Sequence, residues 1–194
     1  MAEELNQQET TDQNPQDNAA ENTPAPGVNE VAETSTKVLM GTDGFPAGTL
    51  IYMADDTEKK IEDIELGDIV YGYNVAERVN IPHEVTEFVK PFNDFFLKYT
   101  FTNGTTLVCT KSQPLIDTDL EITSSFPEEA ETKHDFKGRH IIPLKEGDKM
   151  LSKDGVVEIE KIEELPNAST LTFNLAIEGS HNFFANGVLV ADKK

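Results

Sequence analysis

Cysteine, tryptophan and positive charge are the scarce features of this 194-residue chain. A single cysteine excludes an intramolecular disulfide framework and any cysteine-rich zinc site. Basic residues number 16 against 36 acidic ones, which gives a formal net charge of −20. This charge disfavours direct binding to nucleic acid or to an anionic membrane, because both present phosphate groups to a protein. We therefore expect neither as a partner.

Long apolar runs and a secretory leader are also missing. No apolar run approaches the ~20 residues that cross a bilayer. The opening Met1-Ala-Glu-Glu has neither a basic region nor the apolar stretch of a signal peptide. These absences predict a soluble, cytoplasmic protein of one domain plus a tail, and they leave membership of a larger particle open.

The first 38 residues differ in composition from the rest. Apart from Leu5 and a few valines they carry no sizeable apolar side chain, and their only base is Lys37. Such a segment cannot bury enough apolar surface to offset the entropy lost on folding. We predict a disordered acidic tail over residues 1–38, which acts either as a solubilising leader or as a segment that orders on a partner. Its eight acids are Glu3, Glu4, Glu9, Asp12, Asp17, Glu21, Glu30 and Glu33.

Residues 39–194 carry the signature of an all-β domain. Runs of four to eight residues, rich in Val, Ile, Thr, Phe and Tyr, alternate with turn residues. Three turns contain Asn-Gly or Asp-Gly, a pair that supplies the positive φ angles of type I′ hairpins. They are Asn103-Gly104, Asp154-Gly155 and Asn186-Gly187.

Two segments depart from the strand pattern. Residues 58–65 are compatible with a short helix or turn. Residues 117–137 are acidic and weakly periodic, and we expect them to form a long loop insertion within the domain.

Residue types alone reveal no active site. Cys109 lies at the end of a strand-like run, where a lone buried cysteine is usually an inert small hydrophobe. The four histidines show no metal-ligand spacing, so each is expected to be structural or superficial; they are His83, His134, His140 and His181. Phosphate-loop, nucleophile-elbow and zinc-protease motifs are missing as well. We expect no metal and no cofactor.

Five motifs in one order nonetheless resemble the Hint (hedgehog/intein) domain superfamily. Together they cover about residues 42–192. The resemblance implies a horseshoe-like β domain whose two ends meet at one site. The motifs are GFPAGTLI at residues 44–51, KIEDIELGDIV at 60–70, GTTLVCTKSQP at 104–114, LKEGDKML at 144–151, and FNL with EGSHNFFANGVLV between 173 and 190.

The family's chemistry needs a first-residue thiol or hydroxyl, a strand histidine, a terminal His-Asn pair and a following nucleophile. On the matching positions, only the strand threonine, Thr110, and the upstream histidine, His181, are retained. Losing one member of such a cooperating set typically costs on the order of 10⁴–10⁶ in rate. The substituted positions are Gly44, Gln113, Ala191, Asp192 and Lys193.

The resemblance therefore predicts a catalytically degenerate intein-like domain that performs no protein splicing. Its expected role is structural or protein-binding, with a protein partner or a larger assembly left open. The alternative is residual autoproteolytic cleavage at one end, before Gly44 or after Asp192, assisted by Thr110, His181 and Asp192. Deliberate inactivation is a weaker explanation, because it would place alanine at the first residue and at the terminal asparagine.

Overall fold

A computed structural model describes residues 42–166 and 168–192 of the chain. Strands dominate these residues, which confirms the all-β prediction. The predicted acidic tail, residues 1–38, lies outside the described residues, as does Lys193. The strands are β1 Phe45–Pro46, β2 Leu50–Tyr52, β3 Glu58–Lys60, β4 Ile69–Asn74, β5 Val79–Val89, β6 Phe92–Asn93, β7 Phe96–Phe101, β8 Thr106–Thr110, β9 Leu115–Ile116, β10 Ile122–Ser124, β11 Ile142–Pro143, β12 Lys149–Ser152, β13 Gly155–Glu164, β14 Thr170–Ile177, β15 Asn182–Ala185 and β16 Val188–Ala191.

The strands form two sheets. In the smaller one the order is β1-β14-β5-β4, and β6 also pairs with β14. In the larger one the order is β11-β10-β9-β16-β12-β13-β7-β8, and β15, β2 and β3 extend from β16. Strand β1, near the start of the domain, therefore pairs with β14 near its end, and Phe45 lies opposite Phe173.

Only one of the three Asn-Gly or Asp-Gly turns has the predicted backbone. Asn186 and Gly187, between β15 and β16, both have positive φ, at 46° and 76°. In the other two turns only the glycine has positive φ. The Gly104 N–H donates to Phe101 O and closes a tight turn. Such a turn needs one left-handed residue, whereas a type I′ turn needs two. The type I′ prediction is therefore wrong for these two turns.

Aromatic and branched side chains from both sheets form one main core. Its largest fully buried members include Tyr99, Phe45, Phe101 and Phe183. The rings of Phe45 and Phe183 pack edge to face, with centroids 6.0 Å apart. This packing joins β1 to β15, so the same residues that build the core also bring the domain's two ends together.

Residues 117–137 are not the loop insertion that the sequence predicted. They contain strand β10 and a helix, α1, over Pro127–Lys133. Proline at the helix start, Glu128 and Glu129 in the first turn and Lys133 in the last turn are standard signals for a short helix. The segment 58–65 forms β3 followed by a 3₁₀ turn over Ile61–Asp63, close to the prediction of a short helix or turn.

Among the residues that the structure describes, neither helix is long and apolar enough to cross a membrane.

Candidate functional site

The end of β8 holds the backbone where the domain begins. The Gly44 N–H donates to Thr110 Oγ1 at 3.1 Å, and the Thr110 N–H donates to Gly44 O at 3.0 Å. Thr110 is almost fully buried. The strand threonine of the resemblance therefore lies against the peptide bond between Asp43 and Gly44, as its position in the motif implies.

Position 44 has no room for a side chain. A Cβ added to Gly44 would lie 2.8 Å from Phe173 O and 3.2 Å from Thr172 Oγ1. The first contact involves the backbone of β14, which is paired with β1 and cannot easily give way. Position 44 therefore lacks a nucleophile and also lacks the space for one, because the neighbouring chain is packed too closely for a nucleophilic side chain to fit.

Two side-chain amides connect the two ends of the domain. Asn174 Nδ2 donates to the backbone oxygen of Asp43 at 3.0 Å and to Gln113 Oε1 at 3.3 Å. Gln113 Nε2 in turn donates to Ala191 O at 2.9 Å. Asn174 and Gln113 are fully buried. An amide has no pKa near neutrality, so this chain of hydrogen bonds orients the two carbonyls but cannot transfer protons between them.

Asp192 and His181 form the second half of the site. Asp192 Oδ2 accepts the Ile177 N–H at 3.0 Å and faces His181 Nδ1 at 3.3 Å. Asp192 is fully buried, whereas the His181 side chain is 39% exposed. The carboxylate is thus engaged with β14 and the imidazole, at the position where the family carries a terminal asparagine.

Asp43 is the most heavily hydrogen-bonded side chain of the site. Its Oδ1 accepts hydrogen bonds from Thr110 Oγ1 at 2.8 Å and Ser112 Oγ at 2.6 Å, and it pairs with Lys133 Nζ at 3.2 Å. Its Oδ2 accepts from His134 Nε2 at 2.8 Å. Lys133 ends α1 and His134 follows it, so the segment predicted to be a loop supplies half of these contacts.

The surroundings keep the Asp43 carboxyl ionised. Burial alone would raise its pKa, but the hydrogen bond from His134, the charge of Lys133 and the hydrogen bond from Ser112 together hold the pKa below its ordinary value. Burial alone would lower the pKa of Lys133, but the carboxylates of Asp43 and Glu129 raise it above its ordinary value. Lys133 is therefore a cation and cannot serve as a base for Ser112, although its Nζ lies 2.8 Å from Ser112 Oγ.

The remaining candidate side chains lie elsewhere. Cys109 is fully buried in the core, and burial raises the pKa of its thiol well above the ordinary value. His140 is on the surface, and His83 packs against Gly179. No group of three or more His, Cys, Asp or Glu residues within residues 42–166 and 168–192 could hold a metal ion.

Four residues of the site were not singled out from the sequence. Asp43 and Lys133 lie outside the five motifs, Ser112 and Asn174 lie within two of them but were given no role, and His134 was interpreted only as structural or superficial. The partners lie far apart in the chain: Asp43 is 91 residues from His134 and 131 from Asn174. The helix signals around Pro127 could have placed Lys133 and His134 at a helix end, but nothing local identifies Asp43 as their ligand.

Solved structures of inteins and intein-like domains resemble this fold. A bacterial intein-like domain from Clostridium thermocellum is 23% identical with a TM-score of 0.63, and the match covers 77% of this chain and 98% of that one. A DnaB intein from Synechocystis is 18% identical with a TM-score of 0.61, and the match covers 79% of this chain and 100% of that one. The gp41-1 intein is 22% identical with a TM-score of 0.56, and the match covers 77% of this chain and 98% of that one.

No protein-family model matches the chain, and no curated protein matches it. The structural likeness covers the whole length of these domains, whereas the identities stay below 25%, so the likeness concerns the fold. The chain has the fold of the Hint, or intein-like, domains.

Proposed function

We propose that this domain acts as a structural or protein-binding module and performs no protein splicing. The observation that carries the proposal is the closed surroundings of Gly44. A first-residue nucleophile is missing, and an added Cβ would lie 2.8 Å from the backbone oxygen of Phe173. Acyl transfer to a side chain at this position would need β1 to separate from β14.

The proton carriers that splicing requires are also replaced. Gln113 contributes an amide where the family carries a histidine, and that amide is bound to Ala191 O. Ala191 itself contributes no acid to the far end. What persists is the set of turns and core residues that maintain the fold, and these are retained for stability whether or not chemistry occurs.

One observation favours the second candidate, slow cleavage before Gly44. Asn174 Nδ2 lies 3.0 Å from the Asp43 carbonyl oxygen, and Thr110 Oγ1 accepts the Gly44 N–H. A donor on the carbonyl oxygen stabilises negative charge that develops there during attack. The arrangement could thus assist hydrolysis of the Asp43–Gly44 bond by water.

Intact-mass measurement of the purified full chain tests the proposal. We expect a single species of 21.5 kDa after several days between pH 6 and pH 9, with or without added thiol, and no fragment that begins at Gly44 or ends at Asp192 when hydroxylamine is added. Hydroxylamine also cleaves Asn-Gly bonds, so fragments that end at Asn103 or Asn186 have that separate origin. Thioesters and esters react with hydroxylamine, so an acyl intermediate would become visible as a fragment.

A fragment that begins at Gly44 or ends at Asp192 would contradict the proposal, provided that His181→Ala or Thr110→Val abolishes it. Fragments that persist in both variants would indicate contaminating protease. The exposed substitution Val156→Ala serves as the matched control, because Val156 lies on β13 and is 58% exposed.

The proposed protein-binding role is tested with a purified partner protein. The net charge of −20 favours a partner with a basic surface. A candidate captured on the full chain should bind again when both proteins are pure, and raising the salt concentration should weaken the complex. Repeating the measurement with residues 1–38 removed would show whether the acidic segment contributes to binding.

A further inference from the structure

The polar groups around Asp43 form an enclosed cradle, which comprises Thr110, Ser112, Lys133 and His134. Each of the four lies within hydrogen-bond or ion-pair distance of the Asp43 carboxylate. Thr110, Ser112 and His134 are buried, and the Lys133 side chain is 21% exposed. Four convergent donors on two oxygens make a site that matches a carboxylate in shape and charge.

The cradle is held in place by contacts that do not involve Asp43. Glu129 Oε1 pairs with Lys133 Nζ at 2.7 Å, one helical turn away on α1. Glu129 Oε2 also pairs with Lys111 Nζ at 2.7 Å, which ties the helix to the end of β8. The His134 ring stacks on Phe136 with centroids 5.5 Å apart. The donors are therefore already oriented for a ligand, which reduces the entropic cost of binding one.

We propose that this cradle is a carboxylate-binding subsite, and that its ligand in this chain is the side chain of Asp43, the residue immediately before Gly44. The subsite selects a carboxylate over an amide, because an amide at position 43 carries no charge to pair with Lys133 Nζ. It selects aspartate over glutamate, because a further methylene must fit into a fully enclosed space. The proposal holds whether or not the Asp43–Gly44 bond is ever cleaved.

A chemical-rescue experiment on the full chain tests this inference. Asp43→Ala empties the subsite and leaves the donors without an acceptor, which should raise the unfolding equilibrium constant about a hundredfold. Sodium formate is small enough to enter the emptied space. At about 0.2 M, formate should lower the unfolding constant of Asp43→Ala about threefold relative to sodium chloride at equal ionic strength, by mass action on the folded state. The wild-type chain, whose subsite is filled, should show no difference between the two salts.

Two variants control the measurement. Asp154→Ala removes an exposed aspartate, and formate should not affect it differently from chloride. In the double variant Asp43→Ala/Lys133→Met the formate effect should disappear, because the cation that receives the anion is gone. Equal responses to formate and chloride in Asp43→Ala would overturn the proposal.

If Asp43→Ala does not fold, a double-mutant cycle between Asp43→Asn and Lys133→Met decides the question. A carboxylate subsite predicts that the two substitutions are non-additive, since Lys133→Met costs several-fold less once the carboxylate is gone. Strict additivity, with Asp43→Glu as stable as the wild type, would show that the side chain at position 43 only fills space.

Discussion

Replacing Gly44 by cysteine is expected to destabilise the protein without restoring acyl transfer. The new Cβ would lie 2.8 Å from Phe173 O, so β1 or β14 must shift. Overpacking of this kind costs about 1–3 kcal/mol. Gln113 and Ala191 would still supply no proton carrier, so the thiol could not be used. Urea unfolding measures the loss, and intact mass after treatment with thiol or hydroxylamine measures the chemistry.

Two further variants separate the steric effect from the chemical one. Gly44→Ala adds the same Cβ without a thiol and should lose a similar free energy of unfolding. Val156→Cys adds a thiol at a position that is 58% exposed and should leave stability within about 0.5 kcal/mol of the wild type. A Gly44→Cys chain that releases a fragment starting at residue 44 would show that the framework still supports acyl transfer.

Replacing Asp43 by asparagine is expected to lower the free energy of unfolding by about 3 kcal/mol at neutral pH, because it breaks the ion pair between the buried Asp43 carboxylate and Lys133. The difference between the two proteins should depend on pH with a definite sign. The pKa of Asp43 is lower in the folded state than its ordinary value of about 3.9. The stabilisation of the folded protein by the Asp43 carboxylate is therefore fully present above this ordinary pKa, and it is lost as the pH falls through the folded-state pKa.

The measurement is a set of urea unfolding curves between pH 7 and pH 2.5. The difference in the free energy of unfolding between wild type and Asp43→Asn should stay constant from pH 7 to about pH 5 and then shrink. The other carboxylates are present in both proteins, so the pH dependence of the difference comes from Asp43 and from the groups coupled to it, Glu129 through Lys133 and His134 directly. A difference that is independent of pH would show that the pKa of Asp43 is the same in the folded and unfolded states, and a difference that grows as the pH falls would show that the folded protein holds the carboxyl protonated.

The sequence allowed the fold to be predicted because its signals are local. Asn186-Gly187 adopts the predicted backbone of a two-residue hairpin, and the alternation of strand and turn residues gives the all-β class. The placement of Thr110 against Gly44 was implied by the resemblance to Hint domains. These features depend on residues close to one another in the chain, or on a pattern shared with known domains.

The contacts of Asp43 could not be predicted in the same way. They depend on α1, a helix of seven residues within a segment that is acidic and weakly periodic. A helix this short owes its stability to packing and ion pairs more than to its own sequence. The closed space at Gly44 is likewise a property of β14, which lies about 130 residues further along the chain. Steric exclusion between distant strands leaves no trace in the sequence around either one.

The enclosure of Asp43 has a consequence for chemical ageing. Aspartate followed by glycine is prone to isomerise, because the glycine nitrogen can attack the side-chain carboxyl and form a cyclic imide. The Asp43 carboxylate is ionised and fully buried, and the Gly44 N–H is engaged by Thr110. Asp154-Gly155 has the same two residues in the hairpin between β12 and β13, where the Asp154 side chain is 76% exposed. The same dipeptide should therefore age slowly at residues 43–44 and faster at the hairpin, so that, of these two aspartates in stored protein, Asp154 forms isoaspartate first.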